Sequence, residues 1–364
     1  MFVLDSHCDV PSQLLRGRDL SKDNVRGHVD FPKLRRGGVD ASFFALYTPA
    51  WFSPDRATRY ALEMLAAVND ALASNPGEAV LTRTPAEALK NKEKGLISIF
   101  LGMENGSPIQ KSLSLLRLFK SLGVSYMTLT HNKYNEIGDS AAGIAKWGGL
   151  SPFGKEVVAE MNRIGMMIDI AHVSDRTFFD CIALSKKPIV STHSSCRALC
   201  RHRRNLSDEM LRALSDKGGV CQINFYPLFL SDRFASSLDA SGLDPIADKV
   251  ENQWQADPLN PKKCFKWYAV QDSLAALDFR PSVKDVVDHI DHAVKVAGID
   301  HVGIGSDFDG INVTPSGLED VSKIGSVFDE MKKRGYSDSE IEKVAGKNFL
   351  RVLSEVQDVP ERGL

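Results

Sequence analysis

The sequence lacks the marks of several protein classes. No run of roughly 18 apolar residues occurs in its 364 residues, so no membrane-spanning helix is expected. None of its 6 cysteines falls in a C-x-x-C pair, which argues against thioredoxin motifs and zinc knuckles. Cys8, Cys181, Cys196, Cys200, Cys221 and Cys264 read instead as scattered free thiols of a reducing compartment. Net charge is nearly absent, because 45 Lys and Arg stand against 47 Asp and Glu and leave −2. Nothing in that balance calls for nucleic acid or an anionic membrane as partner. There are no internal repeats and no low-complexity segment. The opening Met1-Phe2-Val3-Leu4-Asp5 has neither the basic nor the apolar region of a secretory leader. The cytoplasm is therefore the expected compartment of the chain as it stands.

What is present is a rhythm of short apolar strands followed by helical stretches. Strands are predicted at 2–6, 41–47, 96–101, 125–130, 166–171, 188–192, 219–225 and 301–305. Several are near-continuous apolar runs, such as Ile97-Ser98-Ile99-Phe100-Leu101, the pattern of strands buried on both faces. Between them, 56–73 carries apolar residues at helical spacing, and Ser151-Pro152 and Ser207-Asp208-Glu209 are helix starts. Ser282 with Asp285 and Ser337 with Glu340 form capping boxes. Eight strand–helix units predict one domain over residues 1–364, a (β/α)8 TIM barrel of the α/β class. One segment breaks the rhythm: residues 227–281 contain no strand and hold Trp254, Trp267 and Tyr268. It is read as an inserted lid over the C-terminal mouth of the barrel.

The chemistry-bearing residues gather where such a barrel places its active site. His7 and Asp9 flank Cys8 at the end of the first strand, on one face, with Cys8 turned away. An imidazole beside a carboxylate suits a zinc-type ion. Glu104, His131, His172, His193 and Asp307 each follow another predicted strand. Four of the nine histidines thus occupy strand ends, which converge on one mouth. The other five, His28, His202, His289, His292 and His301, are assigned to core or surface roles.

These motifs resemble the renal (membrane) dipeptidases and their bacterial relatives, within the amidohydrolase superfamily. The resemblance runs from Asp5-Ser6-His7-Cys8-Asp9 and His28-Val29-Asp30-Phe31-Pro32 through Gly102-Met103-Glu104-Asn105 and Thr130-His131-Asn132. It continues through Asp169-Ile170-Ala171-His172, Thr192-His193-Ser194, Arg203-Arg204-Asn205 and Asn224-Phe225-Tyr226, and closes with Gly305-Ser306-Asp307-Phe308-Asp309-Gly310. It implies a dipeptidase that hydrolyses dipeptides, L-Xaa-D-Xaa among them, using water activated between two Zn²⁺ or other divalent ions. His7 and Asp9 would hold one ion and His172 and His193 the other, with Glu104 bridging. Asp307 would accept a proton from the attacking water, and His131 would stabilise the oxyanion. Arg204 would grip the substrate's free carboxylate, with Asn224 and Tyr226 among the substrate-binding residues. The family favours a homodimer. Two alternatives compete with this reading: an amidohydrolase acting on another small amide, and a metal-binding barrel without turnover.

Overall fold

A computed structural model describes residues 1–256 and 260–359. The side chains of residues 255, 256, 261 and 264 lie outside that description, and with them the thiol reading of Cys264. Nine strands form one parallel sheet: β1 (Leu4–Cys8), β2 (Ala41–Tyr47), β3 (Ala79–Leu81), β4 (Ile97–Glu104), β5 (Val124–Thr128), β6 (Met167–Asp169), β7 (Val190–Ser191), β8 (Val220–Ile223) and β9 (Val302–Ile304). All but β3 follow the order β1-β2-β4-β5-β6-β7-β8-β9. The ring closes where the chain leaving β9 meets the end of β1. There Asp307 N donates to His7 O at 3.0 Å and Asp9 N donates to Phe308 O at 2.9 Å. The predicted eight-stranded barrel is therefore present.

β3 was not predicted. It is three residues long with one buried, too short to show a period. Because β2 pairs along most of one edge of β4, β3 and β5 share the other: β3 takes Ile97–Ile99 and β5 takes Leu101 onward.

Side-chain alternation sorts each strand between two apolar layers. Leu4, Phe43, Phe100, Tyr126, Met167, Val190 and Val220 pack with one another inside the ring. Phe44, Leu46, Ile99 and Leu101 pack outward against helices. Phe43 stacks on Phe100 at 4.7 Å and lies 5.4 Å from Tyr126. The C-terminal helix Asn348–Gln357 inserts Phe349 against Phe43 and closes the end where the strands begin. The predicted helix starts hold: Ser151, Ser207, Ser282 and Ser337 each cap a helix, the last two in full capping boxes.

Gly102 shows how tightly the interior is filled. A Cβ there would sit 2.1 Å from the Tyr126 ring, so only glycine lets that ring cross β4.

Residues 227–281 hold four helices among the described residues, Pro227–Leu230, Asp232–Ser241, Asp244–Ala256 and Pro261–Ala275, with 257–259 outside the described residues. Phe234, Leu238, Ala247 and Leu274 give the segment its own small apolar cluster with Val313. It is tied to the barrel by Arg26, which grips Asp272 at 2.6 and 2.8 Å. The Arg16 guanidinium also lies 3.6 Å from the Trp254 ring centroid. Among the described residues no helix is long and apolar enough to cross a membrane.

Candidate active site

The strand ends bring the predicted residues together. His7 belongs to β1 and Glu104 is the last residue of β4, each slightly deeper in its strand than the sequence suggested. The two oxygens of the Glu104 carboxylate face different partners. Oε2 lies 3.6 Å from His7 Nε2, which lies 3.6 Å from Asp9 Oδ2. Oε1 lies 3.0 Å from His172 Nε2, 3.5 Å from His193 Nε2 and 3.8 Å from His131 Nε2. Asp307 joins the first side, where an oxygen of it, one of Asp9 and a ring nitrogen of His7 lie within 4.8 Å of one another.

Two of these residues sit in strained backbone. His172 has φ 68° and Asp307 has φ 62°, a left-handed conformation that non-glycine residues seldom adopt. Surrounding bonds impose it. The His172 carbonyl accepts from Ala141 N at 2.8 Å, Ser140 Oγ at 3.1 Å and Thr130 Oγ1 at 3.3 Å. Asp307 donates its N–H to β1, and its carbonyl accepts from Gly310 and Ile311, both at 3.1 Å. Strain persists only where the surroundings over-determine it, and such places cluster at functional sites.

Burial sets the protonation states. It pushes His172 and His193 well below the usual imidazole range and His131 to about 4, so these rings are neutral at neutral pH. Glu104 is held well below the usual carboxylate range against burial, chiefly by the charge of His7. Burial pushes the Asp307 carboxyl up to about 7, opposed by His7 and by the bond from Asn224.

Divalent ions fit this donor set. Neutral imidazoles and carboxylates are the ligand types of zinc. His7 Nε2 and Asp9 Oδ1 are buried without a hydrogen-bond partner among the described residues, a cost that coordination removes. A Cβ at Gly310 would meet Asp9 Oδ2 at 2.1 Å and Asp307 Oδ1 at 2.6 Å, so glycine keeps the space between the two carboxylates open.

The site opens into a cavity of about 550 Å³, within the roughly 300–1,000 Å³ of small-molecule sites. Its walls include Arg204, Tyr226, Tyr47, and Asp248 and Trp267 of the 227–281 segment. Arg204 is 5% exposed, a buried cation rather than a surface charge. Burial lowers its guanidinium to about 10, which leaves it charged at neutral pH. Its Nε has no partner among the described residues, while Nη2 donates to His193 O at 3.3 Å.

Asn224 requires a correction. Expected to contact substrate, it is fully buried and does not line the cavity. Its amide donates to Asp307 Oδ2 at 2.8 Å, so it holds the carboxylate from behind. Cys8 points off the site to Ser42 and Phe43, as predicted. Of the five histidines set aside, His28 and His202 line the cavity, whereas His289, His292 and His301 bond elsewhere.

The sequence reading missed the groups that orient the imidazoles. Tyr126 OH lies 2.8 Å from His7 Nδ1, Asn132 Oδ1 lies 3.2 Å from His172 Nδ1, and Thr192 Oγ1 lies 2.9 Å from His193 Nδ1. Asn132 and Thr192 adjoin histidines in sequence, a weak signal that was present. Tyr126 is 119 positions from His7 and gave none.

Comparison with known proteins agrees with the site. The family model described as membrane dipeptidase (peptidase family M19) matches residues 1–363. The dipeptidase aclJ of Aspergillus oryzae is 33% identical across 98% of this chain and 77% of its own. The crystal structure of the probable dipeptidase PvdM from Pseudomonas aeruginosa superposes with TM-score 0.84 at 29% identity, covering 98% of this chain and 96% of its own. A metallopeptidase from Rhodobacter sphaeroides, liganded with a phosphinate mimic of L-Ala-D-Ala, superposes with TM-score 0.81 at 25% identity, covering 98% and 99%. A whole-chain family match and a barrel whose strand ends carry metal-type donors lead to one conclusion: the chain belongs to the membrane dipeptidase family, M19, and is a metallo-dipeptidase, a hydrolase acting on peptide bonds.

Proposed function

We propose that this chain cleaves dipeptides, including L-Xaa-D-Xaa, with two divalent ions, zinc the first candidate. His7 and Asp9 would hold one ion and His172 and His193 the other, with the Glu104 carboxylate available to both. The observation that carries this reading is the division of the Glu104 carboxylate, with Oε2 toward His7 and Oε1 toward His172 and His193. When bound, two such ions acidify water toward neutral pH and polarise a carbonyl.

The chain's own residues supply the rest. Asp307 takes the proton of the attacking water on a carboxylate oxygen, and Asn224 holds the other oxygen in place. His131, neutral and half-buried in the cavity wall, donates a ring N–H to the carbonyl oxygen as it gains charge. Arg204 pairs with the free carboxylate of the substrate, its planar fork matching both oxygens. Tyr226 and the lid aromatics enclose the substrate and exclude water. The liganded Rhodobacter relative supports a D-residue at the C-terminal position. We take the working form to be a homodimer, which light scattering checks.

The test is metal analysis joined to a dipeptide panel. Two ions per chain are expected, with activity lost on chelation and restored by zinc. One ion per chain in fully active enzyme would refute the dinuclear reading.

A further inference from the structure

Asp169 is a buried carboxylate for which the mechanism above has no use. It ends β6, is 0% exposed and does not line the cavity. An isolated charge is costly in such a place, and four donors compensate it. Oδ1 accepts from Ala171 N at 3.0 Å and Thr192 N at 2.9 Å. Oδ2 accepts from Thr128 Oγ1 at 2.5 Å and Thr192 Oγ1 at 2.7 Å. These donors come from the ends of three neighbouring strands, β5, β6 and β7, and the chain leaving each end carries His131, His172 or His193.

The hydrogen positions follow from counting. A carboxylate only accepts, and a threonine hydroxyl has one hydrogen to give. Thr192 gives it to Asp169, so the 2.9 Å contact between Thr192 Oγ1 and His193 Nδ1 holds only if the ring hydrogen is on Nδ1. The His193 lone pair is then on Nε2, which faces Glu104 Oε1 at 3.5 Å. Asn132 Oδ1, also an acceptor, places the His172 hydrogen on Nδ1 by the same reasoning. Two bare Nε2 atoms therefore face each other at 3.0 Å. Lone pairs at that distance repel, and a shared cation reconciles them.

We propose that Asp169, acting through the Thr192 hydroxyl, is a positioning residue that fixes His193 with its hydrogen on Nδ1 and so sets cation affinity on the His172/His193 side of the centre. The inference rests on the two-ion reading above. Partners that orient a ligating histidine are typically worth about 10- to 100-fold in metal affinity.

The experiment is zinc titration of the full-length protein against a chromophoric chelator, for wild type, Thr192→Val, Thr192→Ser and Asp169→Asn. Valine keeps the shape of threonine and removes the hydroxyl. It is expected to weaken one of two zinc sites by about 10- to 100-fold and leave the other unchanged. Serine restores wild-type affinity, and Asp169→Asn follows valine. Unchanged affinities in Thr192→Val, or serine as weak as valine, overturn the proposal. The tautomer is also read without any substitution: a long-range ¹⁵N–¹H spectrum of the wild-type zinc enzyme must show the His193 hydrogen on Nδ1, and a hydrogen on Nε2 overturns the proposal. Failure of the underlying reading looks different, because the wild type itself then binds fewer than two ions.

Discussion

Replacing Arg204 with lysine probes how the enzyme recognises a dipeptide. The guanidinium is 5% exposed and its Nε has no partner among the described residues, so a carboxylate arriving in the cavity meets a desolvated cation. A hydrogen bond involving a charged group is worth roughly 1.5–3 kcal/mol. Lysine keeps the charge but loses the second prong of the fork and shortens the reach. The expected loss is about 2–3 kcal/mol, or roughly 30- to 150-fold in kcat/KM. It should appear mainly in KM, because the contact is remote from the bond that breaks. The assay compares each dipeptide with its C-terminal amide, in wild type and in Arg204→Lys. Wild type should prefer the free acid, and the variant should lose most of that preference while the amide is cleaved at nearly the wild-type rate. An equal loss on acid and amide would refute carboxylate recognition by Arg204.

Other perturbations test other parts of the structure. Asp307→Asn should lower kcat by about 10²- to 10⁴-fold while two ions remain bound; full activity in the variant removes Asp307 as the base. Gly102→Ala forces a Cβ to within 2.1 Å of the buried Tyr126 ring and should cost about 1–3 kcal/mol in chemical denaturation, together with weaker metal binding through His7. An unchanged denaturation midpoint would show that the interior repacks freely. Glu160 is held down to about 2 by hydrogen bonds from Arg163 and Arg117. Because its folded value lies below its unfolded one, its stabilisation is present above about pH 4.5 and fades as the pH falls toward 2. Screening at the exposed arginines limits it to about 1 kcal/mol. Glu160→Gln should therefore melt earlier at neutral pH and converge with wild type in acid, with both measured in chelator.

Much of the fold was legible because its signals are local. Apolar runs such as Ile97–Leu101 mark strands buried on both faces, and Ser282 with Asp285 marks a helix start over four residues. β3 escaped because three residues paired to the foot of β4 carry no period of their own. Residues 227–281 stood out by their missing strands, but the helices of that segment and its ties through Arg16 and Arg26 were not foreseen. The donors of the site were legible because barrel strands share one direction, so a side chain at a strand end belongs to the mouth wherever it lies in the chain. Asn224, set against substrate by the family resemblance alone, instead turns its amide inward to Asp307, 83 positions away.

The sequence by itself determined the kinds of groups at the mouth and the order in which strands deliver them, because both follow from residue type and short-range periodicity. The tertiary structure decided which oxygen of Glu104 faces which histidine, and which group meets each ring Nδ1. It also decided that Arg204 is buried and poised rather than solvated. Those properties depend on hydrogen bonds and burial among residues far apart in the chain, as between His7 and Tyr126, and no local pattern encodes a contact that exists only once the barrel has closed.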